Sequence, residues 1–253
     1  MSRTIGAFFL PLLVGGGLVL VALRAPGEPR AASLSLGNPN EGKLVGGVRM
    51  PVKGRGFYSN PHCPNEDAKY GTEELIAALV KTGRDVHRWA PGGTLYINDL
   101  GFREGGQIPH HQSHQAGRDV DLLFYMLDEQ GELTRPRAVH FDKQGAGAFD
   151  NGTRNDRSDD VPVTFDVRRN WLVLKSLLSN REAHVQRVFV AEGLRGLMLR
   201  HARKTGERRS LIERAGELTC QPRSPHDDHF HIRLYCTEED YRQGCRDAWP
   251  IYP

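Results

Sequence analysis

The sequence predicts one α+β domain preceded by an apolar leader. Three observations carry this: apolar residues at helical spacing in two separate segments, strict alternation in a third, and no internal repeat or second hydrophobic domain. The chain has 253 residues, 38% hydrophobic and 26% charged, which suits a globular domain and excludes disorder or a multi-pass membrane protein. Its formal charge is +3. Arg3, Arg24, Arg30 and Glu28 account for +2 of it, so residues 33–253 carry only +1 and no electrostatic case for nucleic acid remains.

Taken in chain order, Thr4 to Leu23 is a 20-residue uncharged stretch flanked by Arg3 and Arg24. It reads as an export signal or a single membrane anchor. Pro11 and Gly15 to Gly17 weaken a spanning helix, and Ala31, Ala32 and Ser33 offer small residues for cleavage. Residues 1–32 are therefore set apart from a domain at 33–253. Four cysteines (Cys63, Cys220, Cys236, Cys245) agree with export, since disulfides persist outside the cytoplasm. They allow three connectivities, and no CxxC spacing favours a zinc finger.

A polar, Gly-rich entry at 42–56 leads to a predicted helix over Gly71–Val80, with a threonine cap and an acidic first turn. Gly93–Gly101 and Arg118–Met126 are β-rich runs. Asp128–Val161, rich in Gly, Asp, Asn and Arg, reads as a long surface excursion. Val167, Trp171, Leu174, Leu177 and Leu178 recur at three and four residues, predicting an amphipathic helix from Asp166 to near Asn180. A strand follows at Val185–Val190, then one or two short helices between Gly193 and Ala215. The alternation of His229–Cys236 places His229, His231, Arg233 and Tyr235 on one strand face and Phe230, Ile232 and Leu234 on the core face.

Histidine placement is the strongest chemical signal. Of 11 histidines, six fall in two windows, His110-His111-Gln112-Ser113-His114 and His226-Asp227-Asp228-His229-Phe230-His231. Clusters of histidine with interleaved carboxylates suit zinc, whose catalytic sites take three protein ligands and leave one position open. Gly117 permits a turn, after which Asp119 and Asp121 face the same side of the entering strand, so His114 and Asp121 can converge on one ion. For either residue alone, a turn histidine beside solvated aspartates is the simpler account. The second window alters that balance, because two alternating histidines facing a core would be costly. One can ligate while the other handles protons near neutral pH. His226 and His111 are each open to a site role or to plain solvation, and His110 is a bystander. Arg233 and Tyr235 could hold a substrate carboxylate or sit as solvated rim residues.

The run Ser113-His114-Gln115-Ala116-Gly117-Arg118-Asp119-Val120-Asp121 resembles SHQxGxDVD, and His226 to His231 resembles HxxHxH. Together and in this order they resemble the penicillin-insensitive murein endopeptidases, within the lysostaphin-like, D-Ala-D-Ala peptidase-like and hedgehog-like zinc folds. Weaker similarity spans Tyr58 to Cys236.

The resemblance implies an antiparallel sheet core with flanking helices, one Zn2+ held by His114, Asp121 and His231, His229 as general base, and His226 as a second active-site histidine. It further implies a periplasmic hydrolase of peptidoglycan, a D,D-endopeptidase that cleaves D-alanyl to meso-diaminopimelyl cross-links through a zinc-activated water. Contact with a membrane is expected only through the N-terminal segment. Some members of the family add a second metal through a histidine like His111 and a downstream Asp/His pair; His140, Asp142 and Asp150 are the residues available here, and their spacing does not match. Alternatives within the same fold are a D,D-carboxypeptidase and a non-catalytic zinc-stabilised binding module. The second predicts the loss of a proton-handling residue, whereas both His229 and His226 are present.

Overall fold

The computed structural model describes residues 32–61, 65–152 and 156–248. The segment read as an export signal or anchor lies, apart from Ala32, outside them, as does Cys63. Among the described residues no helix is long and apolar enough to cross a membrane.

Seven strands build the main sheet: β1 (Lys53–Gly54), β2 (Phe57–Ser59), β3 (Leu95–Ile97), β4 (Asp119–Leu123), β5 (Val185–Phe189), β6 (Thr219–Cys220) and β7 (His229–Leu234). Their spatial order is β6-β5-β7-β4-β3-β2-β1. The run β5-β7-β4-β3 pairs antiparallel throughout, giving the expected antiparallel core, while β5 with β6 and β2 with β3 pair in parallel. Along β7 the predicted alternation holds: Phe230, Ile232 and Leu234 are buried in the hydrophobic core together with Val120 and Leu122 of β4.

Among the described residues five α-helices accompany the sheet: α1 (Glu73–Trp89), α2 (Val167–Ser179), α3 (Glu192–Lys204), α4 (Arg209–Leu218) and α5 (Glu238–Arg242). The Thr72 side chain accepts the Leu75 N–H at the start of α1, and Glu73 and Glu74 complement the positive end of the helix dipole. Asp166 does the same for α2 by accepting from Arg169 N at 3.0 Å. The buried faces of these helices, Leu75, Leu79 and Val86 on α1 with Trp171, Leu174 and Leu177 on α2, supply much of the core. A buried polar contact, Ser176 Oγ to Asp85 Oδ2 at 2.9 Å, joins the two.

The segment 128–161 differs from the expected surface excursion. With flanking residues it forms a four-stranded sheet from Met126–Leu127, Leu133–Thr134, Ala146–Phe149 and Val161–Phe165. Val139, Phe141, Val163 and Phe165 enter the core, where the Phe141 and Phe165 rings lie 6.1 and 5.0 Å from that of Phe124. Strands of two to five residues are too short to show a period, and the aspartates that made the segment look solvated close its turns. Asp128 Oδ1 accepts from Gln130 N and Glu132 N, and Asp142 Oδ1 from Gln144 N and Ala146 N.

The two ends of the described domain are tied together. Arg118, 2% exposed, donates to Ser35 Oγ, Leu234 O, Asp247 Oδ1 and Arg246 O at 2.7–3.1 Å. Cys236 and Cys245 form the disulfide that closes the loop around α5. Cys220 is a free thiol on β6.

Candidate metal and catalytic site

The pairing of β4 with β7 sets His231 opposite Asp121 and Arg233 opposite Asp119. Because side chains alternate, Asp119, Asp121, His229, His231 and Arg233 all project from the sheet face opposite Phe230 and Ile232. His114 reaches this face from the turn before β4. Its backbone lies at φ 71° and Gly117 follows at φ 72°, so the chain reverses within a few residues. The strained His114 backbone is held by its own N–H, which donates to Asp119 Oδ2 at 3.0 Å. A Cβ on Gly117 would lie 2.7 Å from Leu44 Cδ1, so only glycine fits there.

Asp121 Oδ1 is the point of convergence. It lies 3.3 Å from His231 Nδ1, 3.4 Å from His114 Nε2 and 3.6 Å from His229 Nε2, while Asp121 Oδ2 lies 3.6 Å from His111 Nδ1. The His114 ring is fully buried, and its Nδ1 sits 2.7 Å from Leu100 O, a distance that makes Nδ1 the donor and leaves Nε2 as a lone pair aimed at Asp121. His114 Nε2 and Asp121 Oδ1 are buried with no hydrogen-bond partner. Orphaned polar atoms of this kind, one an imidazole lone pair and the other an anionic oxygen, need a donor or a cation between them. His111, His114 and Asp121 form a group able to hold a metal ion, their ligand atoms all within 4.8 Å of one another. His231 Nδ1 borders the same oxygen. Imidazole and carboxylate donors in this mixture suit zinc.

Charge is arranged consistently around this point. Burial pushes the Asp121 carboxyl up, but His114 and His229 outweigh it and hold the group well below the usual carboxylate range. Asp119 is likewise held well below that range, burial opposing and Arg233 and His231 prevailing. His229 is pulled down by burial and raised more strongly by the Asp121 and Asp228 carboxylates, reaching about 9. Burial instead lowers His226, whose Nδ1 is 3.0 Å from Ser224 O.

The structure thus brings His111, His114, His229 and His231 around the Asp121 carboxylate. His226 lies beside them, its ring centre 5.0 Å from that of His229 and 5.7 Å from that of His231. His110 is exposed on the outer side of its turn. His140 pairs with Asp227 at 2.8 Å, Asp142 closes a turn, and Asp150 joins Asp159 and Asp160 in a separate acidic group, so none of the three enters this cluster.

Arg233 requires a correction. It neither holds a substrate nor sits at a solvated rim, since it is buried and grips Asp119 through Nε at 2.7 Å and a terminal nitrogen at 3.2 Å. Its register opposite Asp119 is invisible in the alternation of β7 alone. Two further residues escaped sequence reasoning. Asp99, buried just past β3, accepts from Asn65 Nδ2 at 3.1 Å and lies 3.0 Å from His111 Nε2; an aspartate at a strand end carries no periodic signal. Asp228 lies 2.7 Å from His229 Nδ1, and the only sign of it was its place inside the histidine window.

A sheet that carries a buried His/Asp group able to hold a metal ion, with His229 and His231 on the neighbouring strand, defines a candidate metal site. Residues 35–252 match the family model described as penicillin-insensitive murein endopeptidase, and the chain belongs to that family. Among its relatives, the penicillin-insensitive murein endopeptidase of Klebsiella pneumoniae (strain 342) is 23% identical over 258 residues, covering 100% of this chain and 84% of the relative. The protein of the same name from Haemophilus influenzae is 26% identical over 227 residues, covering 89% of this chain and 71% of the relative.

Proposed function

We propose that the chain is an exported, zinc-dependent D,D-endopeptidase that cleaves D-alanyl to meso-diaminopimelyl cross-links of peptidoglycan. The observation that carries the proposal is the pair of orphaned, buried atoms, His114 Nε2 and Asp121 Oδ1, set 3.4 Å apart beside two more imidazoles. His114 Nε2, Asp121 and His231 Nδ1 would hold the zinc, with His111 as an additional donor. When bound, zinc supplies Lewis acidity, polarising the scissile carbonyl and bringing the pKa of a water toward neutrality.

The remaining work falls to the chain's own side chains. His229 presents Nε2 to the reaction centre and would take the proton from the attacking water and hand it to the departing amine nitrogen. The Asp121 charge that raises His229 in the metal-free protein is neutralised when a cation sits on that carboxylate, which leaves His229 available as a base near neutral pH. His226, kept neutral by burial, is the second active-site histidine. Export to the periplasm is supported by the apolar segment Thr4–Leu23, the disulfide and the family's substrate.

Incubating the purified chain with cross-linked muropeptide dimers, with and without a chelator and beside His229→Ala, tests the proposal. Conversion of dimer to monomer that both chelation and the substitution abolish is expected. Release of terminal D-alanine with cross-links intact would make the protein a carboxypeptidase, and bound zinc without turnover a binding module.

A further inference from the structure

Beside the ligand group lies a pair of consecutive carboxylates whose partners are divided between them. Asp227 is occupied by the excursion: its Oδ1 lies 2.8 Å from His140 Nδ1, and its backbone carbonyl accepts the Phe141 N–H at 2.9 Å. Asp228, close enough to feel the charge of His140, meets His229 Nδ1 at 2.7 Å. The second nitrogen of His229 has one carboxylate near it, Asp121 Oδ1, at 3.6 Å, beyond hydrogen-bond range. Of the two acceptors competing for the proton of a neutral His229, Asp228 therefore wins on distance. The ring is held with Nδ1–H toward Asp228 and its Nε2 lone pair toward the centre, the only tautomer in which Nε2 can accept a proton there.

Resting on the functional reading above, we propose that Asp228 is a positioning residue for this reaction, fixing the tautomer and the ring orientation of His229. Three features of the geometry support it. The contact is short and charge-assisted. Asp228 and the His229 side chain are each half-buried, at 23% exposure, so water competes only partly for the pair. Asp227 cannot take over, because His140 already holds it and Phe141 fixes its backbone. Second partners of active-site imidazoles act in this way in metal centres and in Ser-His-Asp hydrolases.

The test is a set of three variants of the full zinc-loaded chain, Asp228→Ala, Asp228→Asn and Asp227→Ala. Each is read by the 15N shifts of the His229 ring nitrogens, by zinc content, and by kcat and KM on cross-linked muropeptide dimers. With Asp228→Ala the Nδ1–H signature is expected to be lost and kcat to fall on the order of a hundredfold, with KM and zinc content within about twofold of the parent. Asp228→Asn keeps an acceptor oxygen for Nδ1–H, so the tautomer is expected to persist and kcat to fall about tenfold. Asp227→Ala removes the same charge one residue away and is expected to leave the His229 tautomer unchanged. Persistence of the Nδ1–H form in Asp228→Ala with kcat within about twofold of the parent would overturn the proposal, as would an equal tautomer change in Asp227→Ala. If the Ala variant fails to fold, a kcat of Asp228→Asn within about twofold of the parent overturns it instead. The ring-nitrogen spectrum reads positioning even if the dimer proves not to be the substrate, so failure of the functional reading is seen separately.

Discussion

Replacing Asp119 by alanine removes the carboxylate on which three elements lean. It accepts the His114 N–H at 3.0 Å and two bonds from Arg233 at 2.7 and 3.2 Å, and it lies 3.5 Å from His231 Nε2. Without it the guanidinium of Arg233 stays buried with its charge uncompensated, a loss of about 3–5 kcal/mol. The unpaired His114 N–H adds about 1–3 kcal/mol. Relaxation makes the two less than additive, so a destabilisation of about 4 kcal/mol is expected, a large share of a typical domain's stability. Urea unfolding of the metal-free protein measures it. The double variant Asp119→Leu/Arg233→Met removes both charges and is expected to recover at least about 2 kcal/mol relative to Asp119→Ala, because no buried ion is left alone. Zinc affinity is expected to fall about 10- to 100-fold in Asp119→Ala, since His114 and His231 lose the group that orients them. A loss of stability below about 1 kcal/mol, or strictly additive effects of the two sites, would refute the assignment of Asp119 as the common support.

Further outcomes follow from the same geometry. His114→Ala and His231→Ala are each expected to lose zinc on gel filtration while remaining folded by circular dichroism; full zinc content in both would remove them from the ligand set. In the metal-free protein His229 is expected to titrate near 9 against 6.5 for an unperturbed imidazole, so its contribution of about 3 kcal/mol is complete below pH 6.5 and is lost as the pH rises toward 9. Saturation with zinc should shift this titration to lower pH, as followed by NMR. Gly117→Ala combines positive φ with a 2.7 Å approach to Leu44 and is expected to lower stability by more than about 1 kcal/mol in thermal unfolding. Reducing the Cys236–Cys245 disulfide, whose partners are nine residues apart, is expected to remove about 2–3 kcal/mol by freeing the chain ends that Arg118 clamps, measured as a fall in Tm with reductant.

How much of this was readable beforehand depends on how local the signal is. The caps at Thr72 and Asp166 and the spacing of Trp171, Leu174 and Leu177 are encoded within a few residues, and both helices begin where those signals place them. The alternation of β7 likewise declares which face holds His229 and His231, because a period of two needs no knowledge of a neighbour. Register does need one. The meeting of His231 with Asp121 and the capture of Arg233 by Asp119 are properties of the β4–β7 pairing, and an isolated reading of β7 left Arg233 equally open to solvent or substrate. The strands inside 128–161 escaped because two-residue strands carry no period and their turn aspartates imitate a solvated loop. Asp99 escaped because its contact with His111 joins residues from two separate segments and leaves no mark in either.

The described non-glycine residues with positive φ are His110, His114, His184 and His226, every one a histidine, and three of them lie in the two histidine windows. A position selected only for its backbone would carry glycine or asparagine. At 114 the chain carries histidine against that preference, which under the proposed ligand role trades folding stability for chemistry. A descendant that abandoned hydrolysis would gain by relaxing this residue first, well before Asp121, which suits an ordinary strand. Glycine or asparagine at 114 in an otherwise intact relative would therefore be an early mark of a decaying enzyme.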